Sequence, residues 1–375
     1  MDETLKGLEL RSLVTADGAL QVSLEPIVLE EPGSGELVVR VEAAPINPSD
    51  LGLLLGPADV STLRSEGIAE HPVLAADVPA QRLPTVQARL GQSLPVGNEG
   101  AGTVIRTGPH LQHLLGRKVA MVGGAMYATL RKVSVRDIIV LPENASAADG
   151  ASLFVNPLTA LGFVETMRAE GHRAIVHTAA ASNLGQMLVR ICLADDIPLV
   201  NIVRSESQAA MLRSMGATHV VDSSTPDFQS RLVEVIAATG ATIGFDAVGG
   251  GKLASQILNA MEAVASRELD GYSRYGSNTL KQVYIYGALD PGPITLNRGF
   301  GFSWSVGGWL LFSFLQKIGT ETAARMRQRV LDELKTVFAS RYTATISLAD
   351  ALKPEIAAAY ERKGTGAKYL IDPSL

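Results

Sequence analysis

The sequence predicts an α/β protein with a strand-and-loop first part and a doubly wound parallel sheet after it. Three observations predict this. From about Ser146 onward, segments patterned as strands and as helices alternate, the signature of a parallel sheet with helices on both faces. Before Ser146, short apolar runs are bounded by glycine and proline rather than by helical patterns. The chain has 375 residues, long for a single domain.

Taken in order, Glu36–Glu42, Thr103–Arg106 and Lys118–Val122 read as strands. The polar, proline-containing stretch between the first two, from about Gly56 to Pro95, reads as a loop with one short helix; such length is usually functional. Five strands follow at Ala174–Thr178, Leu199–Val203, His219–Val221, Thr242–Asp246 and Val283–Gly287. The intervening helices run over Gly185–Ala194, to Met215, over Phe228–Ala238 and from Lys252. After Gly319 an amphipathic helix is expected to about Ala339, because Met326, Val330, Leu334 and Val337 recur at helical spacing. The tail from Arg341 returns to short strand and helix segments.

Composition narrows the function. With 46% hydrophobic and 19% charged residues the chain fits a globular protein with a large core. A net charge of −5 gives no case for nucleic acid or an anionic membrane as partner. The single cysteine, Cys192, excludes an internal disulfide framework and a cysteine-rich zinc lobe. The start lacks an apolar signal segment, and the apolar run Trp309–Leu315 is far short of the ~20 residues that span a bilayer. A cytoplasmic enzyme is the expectation.

The strand Ala174–Thr178 ends in Ala179-Ala-Ala-Ser-Asn-Leu-Gly185 before a helix opens. There a small-residue loop can cradle a pyrophosphate, with backbone N–H groups at the positive helix end. Ala181, Ser182 and Asn183 stand where a strict G-x-G-x-x-G would have glycine, so the loop also reads as an ordinary strand-to-helix turn. Ala180, Ala181, Ser182, Asn183, Leu184 and Gly185 are the expected pyrophosphate contacts. Arg204 follows the next strand, where a guanidinium suits a ribose 2′-phosphate and an acid suits the free 2′-hydroxyl. The choice is NADPH, with Glu206 as the opposing signal and a solvated strand-end arginine as the plain alternative. Val248 and Gly249 close the fourth strand, and Gly287 and Ala288 the fifth, in the layer where a nicotinamide lies.

Taken together, Ile46-Asn-Pro-Ser-Asp50, Pro95-Val-Gly-Asn-Glu-Gly-Ala-Gly-Thr-Val104, Asn156-Pro-Leu-Thr-Ala-Leu161, the Ala179–Gly185 loop, Met215-Gly-Ala217 and Phe245-Asp-Ala-Val-Gly249 resemble the medium-chain dehydrogenase/reductase superfamily. Across nearly the whole chain the resemblance is to the quinone oxidoreductase and 2-enoyl thioester reductase-like branch. It implies a GroES-like catalytic domain from both chain ends (1–150 and 341–375) around a Rossmann NADPH-binding domain (151–340), a homodimer, and an active-site cleft. The superfamily's catalytic zinc positions fall at Asn47, Asn98 and about Val155. An amide is a poor zinc ligand and valine is none, so the expectation is no metal.

Without a metal, hydride transfer relies on positioning and hydrogen-bond donors. That suits a small conjugated carbonyl, a quinone above all. The candidate catalytic groups are Asn47, Asn98 and Tyr127, with packing as the plain reading of Tyr127. Asn47 and Thr159 resemble residues that the family places against the cofactor; a cap or core hydroxyl is the plain reading of Thr159. The stretch Leu51–Asp59 lacks the tyrosine of related thioester reductases, which leaves enoyl thioester reduction as the alternative, and a non-catalytic NADPH-binding protein as a third. The segments 57–93 and 266–282 are expected to cover a substrate pocket. The aromatic patch of Phe300, Phe302, Trp304, Trp309 and Phe312 is expected in a core or a subunit interface.

Overall fold

The structure, a computed structural model, describes residues 4–68, 70–362 and 368–375; the parts of these expectations that fall on 1–3, on Ala69 and on 363–367 lie outside the described residues. The chain forms two compact units, Met1–Val155 with Val330–Leu375, and Asn156–Arg329.

In the first unit, β1 (Leu5–Val14) and β2 (Ala19–Leu29) form an antiparallel hairpin. Gly18 turns it at φ +89°, a conformation open to glycine at little steric cost. β3 (Glu36–Pro45) leads into α1 (Pro48–Leu54), where proline at the first helical position loses no hydrogen bond. The stretch expected as a loop with one helix is instead partly β-structure. β4 (Arg64–Ile68) and β5 (His71–Asp77) pair as a hairpin, and β5 joins β2. The cause is the short run Leu74-Ala75-Ala76, fully buried, whose backbone is satisfied by a partner distant in sequence. β6 (Leu94–Pro95) closes this five-stranded sheet in the order β4-β5-β2-β1-β6. β7 (Glu99–Thr107), β8 (Lys118–Val122), β9 (Leu130–Ser134) and β10 (Ile138–Val140) build the second sheet on β3.

A short helix α2 (Ala147–Gly150) and the apolar α3 (Val155–Ala169) follow. The stretch Ala147–Ala169 has the length and composition of a membrane span, but most of it is buried within the fold.

The second unit is the alternating one. Its strands are β11 (Ile175–His177), β12 (Leu199–Val203), β13 (His219–Asp222), β14 (Ile243–Asp246), a short β15 (Gly249–Gly251), β16 (Lys281–Ile285), β17 (Asp290–Ile294) and β18 (Trp304–Gly308). Between them run α4 (Asn183–Ala194), α5 (Glu206–Ser214), α6 (Phe228–Thr239) and α7 (Leu253–Ala265). The main sheet has the order β13-β12-β11-β14-β16-β18 with every pair parallel. This is the doubly wound order, and its reversal between β11 and β14 is where such sheets bind ligands. The strands read as near-continuous apolar runs because both faces are covered; Ile175, Val176, Ile243 and Phe245 are completely buried. β18 is a strand that the sequence pattern did not signal. α8 (Leu311–Lys317) and α9 (Thr320–Asp332) complete the series.

α9 ends at Asp332, short of the expected Ala339. Met326, Val330 and Leu334 are buried, but Phe338 rather than the expected Val337 is the next buried position, and beyond Asp332 the chain turns by i→i+3 bonds, such as Thr336 N to Glu333 O. Such turns keep one side buried without continuing the helix, which is why the apolar spacing overran it. In the tail, β19 (Ala344–Ile346), α10 (Pro354–Glu361) and β20 (Tyr369–Ile371) return to the first unit. β20 pairs antiparallel with β3 and parallel with β19, so Leu37, Val39, Ile346 and Tyr360 share one core.

Candidate functional site

In the second unit the expected cofactor residues line the carboxyl edge of the parallel sheet. Ala180, Ala181 and Ser182 lie between β11 and α4, and Asn183, Leu184 and Gly185 form the first turn of that helix. Ala179 takes a positive φ of 50° to make the turn. A Cβ on Gly185 would lie 2.1 Å from Ala180 O, so only glycine lets the helix start this close to the loop. Ser182 caps the helix, its Oγ accepting from Gly185 N. The N2 amide of Leu184 lies at the positive helix end and has no intrahelical partner by position.

Arg204 stands exposed just after β12, its backbone N–H donating to Gln208. Glu206, the acid that could have argued against a phosphate there, is bridged to Arg213 at 2.7 Å. Val248 and Gly249 follow β14, but their N–H groups are committed to the Asp246 carboxylate. Asp246 also accepts from Thr178 Oγ1 at 2.7 Å, and its burial raises its pKa. A Cβ on Gly249 would lie 2.6 Å from Gly287 O, and one on Gly287 2.6 Å from Ala247 O. These two glycines therefore serve close backbone approach between neighbouring strand ends. Ala288 is exposed beside them. Thr159 lies buried on α3 in the same unit.

The first unit holds Asn47, Asn98 and Tyr127, and the structure adds residues that sequence reasoning missed. Asp50 Oδ2 accepts from Asn47 N and Asp50 Oδ1 from Asn98 N, both at 2.8 Å. One carboxylate thus ties two loops together. Asn47 Nδ2 donates to Glu99 Oε1 at 2.8 Å, while Glu99 Oε2 accepts from Phe154 N and Val155 N at 2.9 Å. Asn98 Nδ2 donates to Ser49 Oγ. Burial pushes Asp50 up to about 7 and raises Glu99. Lys368 is pushed down to about 8 by burial, against the opposing pull of Glu99 and Asp50; its Nζ donates to Ser152 Oγ. Tyr127 is completely buried, and its hydroxyl donates to Pro45 O. That bond supports the turn that carries Asn47.

Asp50 and Glu99 stood inside the motifs Asn-Pro-Ser-Asp50 and Gly-Asn-Glu99-Gly, but nothing local says that their charges are buried. The residues at the zinc positions do not fit that metal. The Asn47 and Asn98 amide nitrogens are committed to protein acceptors, and valine has no donor atom. Among the described residues no three His, Cys, Asp or Glu gather as a metal site. The aromatic patch divides: Phe300 is buried, whereas Phe302 and Phe312 are exposed.

The family model described as zinc-binding dehydrogenase matches residues 184–266, a range without the zinc positions. The chain is similar to a Mesorhizobium loti protein provisionally named an NADPH:quinone reductase, with 25% identity, a TM-score of 0.73 and coverage of 100% of this chain and 99% of that one. A mutant enoyl thioester reductase from Candida tropicalis shares the fold, with a TM-score of 0.67 at 18% identity over 98% of this chain and 100% of that one. Among curated proteins, the mitochondrial enoyl-[acyl-carrier-protein] reductase of Xenopus tropicalis is 28% identical over 53% of this chain and 51% of its own length. The chain thus spans about half the length of that relative. In fold and motifs the chain is similar to medium-chain dehydrogenase/reductase proteins, with a β-rich unit and a doubly wound α/β unit. Within the superfamily its likeness lies with the branch of quinone reductases and enoyl thioester reductases.

Proposed function

We propose that this protein is a zinc-independent, NADPH-dependent oxidoreductase that reduces a quinone or another small conjugated carbonyl. The observation that carries the proposal is the pairing of two features at neighbouring strand ends. The tight Ala180–Gly185 turn opens onto the α4 N-terminus, and Arg204 has no ion partner among the described residues while Glu206 is taken by Arg213. Bound NADPH supplies the hydride. The turn, with Ala180, Ala181, Ser182, Asn183, Leu184 and Gly185, would hold the pyrophosphate, and Arg204 the 2′-phosphate. Thr159, Val248, Gly249, Gly287 and Ala288 would flank the nicotinamide half, and Asn47 is the further cofactor contact that the family resemblance implies. Asn98 is the polar group offered to substrate. Zinc independence rests on the residue types at Asn47, Asn98 and Val155.

The domain reading is a GroES-like catalytic domain of 1–150 with 341–375 and a Rossmann domain of 151–340. A homodimer and a cytoplasmic location complete the proposal, although several relatives are named as mitochondrial. Enoyl thioester reduction is the second reading, favoured by the names of those relatives. Titration of the protein with NADPH and NADH tests the cofactor site. NADPH should bind tighter, and Arg204→Ala should weaken it by about 10- to 100-fold while leaving NADH unchanged, the range for a charge-assisted hydrogen bond. Equal affinity for the two nucleotides in the unaltered protein would sink the role given to Arg204.

A further inference from the structure

Asp246 ends β14, at the point where the sheet order reverses, and its side chain is completely buried. Its Oδ1 accepts two short bonds, from Thr178 Oγ1 at 2.7 Å and from Val248 N at 2.9 Å. Its Oδ2 accepts one long bond, from Gly249 N at 3.3 Å. Thr178, just after β11, in turn accepts from Ala247 N at 2.8 Å. These bonds tie the ends of two neighbouring strands into one turn.

No cation offsets this carboxylate. Among the described residues no lysine or arginine pairs with it, and His177, the residue before Thr178, is kept neutral by burial, its pKa pushed down to about 3. A buried charge without an opposite charge is costly, and the turn does not require one. Both short bonds converge on a single oxygen, Oδ1, and an asparagine has that oxygen too. What the charge adds beyond the bonds is a fixed negative field at the carboxyl ends of β14 and β16. The field reaches the second of these ends: after burial, the Asp246 charge is the next cause that raises the Tyr286 phenol, and Gly287 follows directly. We propose that Asp246 is the electrostatic counterpart of the nicotinamide, favouring the oxidised, cationic ring over the reduced, neutral one and so making bound NADPH a stronger hydride donor.

The inference rests on the reductase reading above, in which Val248, Gly249 and Gly287 flank that ring. Hydride donation changes a nicotinamide ring from neutral to singly positive, the hydride carrying two electrons to the acceptor. A negative charge held by a rigid turn in a buried setting acts on that change with little screening by water, and it does so without touching the ring. The phosphates are the same in both forms of the nucleotide, so the pyrophosphate turn and Arg204 act alike on each. The ratio of the NADP⁺ and NADPH affinities therefore isolates the charge of the ring.

The test is that ratio, measured by calorimetric titration of the full-length protein with NADP⁺ and with NADPH, no acceptor present. Asp246→Asn keeps the Oδ1 acceptor and removes the charge. It should weaken NADP⁺ relative to NADPH by about 5- to 50-fold, the scale of one unit charge acting across several ångströms of protein. Asp246→Ser, which also removes the charge, gives the same reading should the amide variant not fold. Thr178→Val loosens the same turn and leaves the charge in place, so it should shift both affinities together. A ratio unmoved by loss of the charge would overturn the inference, as would a change of equal size in Thr178→Val. If the unaltered protein binds neither nucleotide, the NADPH reading falls and this inference with it. If it binds both and the ratio stays put in the charge-removing variants, the NADPH reading stands and the inference alone falls.

Discussion

Replacing Glu99 by glutamine changes one atom type in a completely buried side chain, and the structure says what that should cost. The carboxylate faces three donors, Asn47 Nδ2, Phe154 N and Val155 N. A glutamine has one acceptor oxygen. If that oxygen keeps the two backbone N–H groups, its own amide nitrogen faces the amide nitrogen of Asn47, donor against donor. Asn47 can relieve the clash by turning its amide, but its side-chain oxygen then leaves the N-cap of α1, where Asn47 and Asp50 form a capping box. The loss is one charge-assisted hydrogen bond plus much of a helix cap, about 2–4 kcal/mol. For a folded unit of this size that lowers Tm by roughly 4–16 °C. Thermal melts followed by circular dichroism measure it. A Tm within a degree of the unaltered protein would refute the claim that both Glu99 oxygens are needed as acceptors of these three bonds.

Two further predictions follow from the same geometry. Gly185→Ala should open the turn, because its Cβ would meet Ala180 O at 2.1 Å; the strain of about 1–3 kcal/mol should appear as a clear loss of NADPH affinity by calorimetry, and unchanged affinity would contradict the close-approach account. Asp50, with its pKa pushed up to about 7 chiefly by burial, binds its proton more tightly folded than unfolded. Its contribution to stability is therefore full below the ordinary carboxylate pKa of ~4 and is lost as pH rises through about 7. Urea unfolding across that window should show the decline, and Asp50→Asn should remove it; an identical pH slope in the variant would exclude Asp50 as its source.

The parallel sheet was readable from sequence because strands buried on both faces are contiguous apolar runs separated by helices. Leu199–Val203 was read to the residue. β18 escaped because Trp-Ser-Val-Gly-Gly carries no alternation and its order comes from pairing with β16. β4 escaped because all five of its residues are exposed, so it has no apolar face to betray it. The tight turn proposed for the cofactor was legible by its place between a strand and a helix rather than by its glycines. The Asp50–Glu99–Lys368 group was not, because it forms only when α1, β7 and the approach to β20 converge from distant parts of the chain. Tyr286 and Gly287 were read as part of a strand that in fact ends at Ile285.

The most direct test of the central claim is NADPH oxidation by the full-length protein after treatment with a metal chelator, with 1,4-benzoquinone, a simple enone and crotonyl-coenzyme A compared side by side. The account predicts metal-independent turnover of the quinone or the enone. Bound NADPH with no turnover of either, or turnover that appears only when zinc is returned, would contradict it.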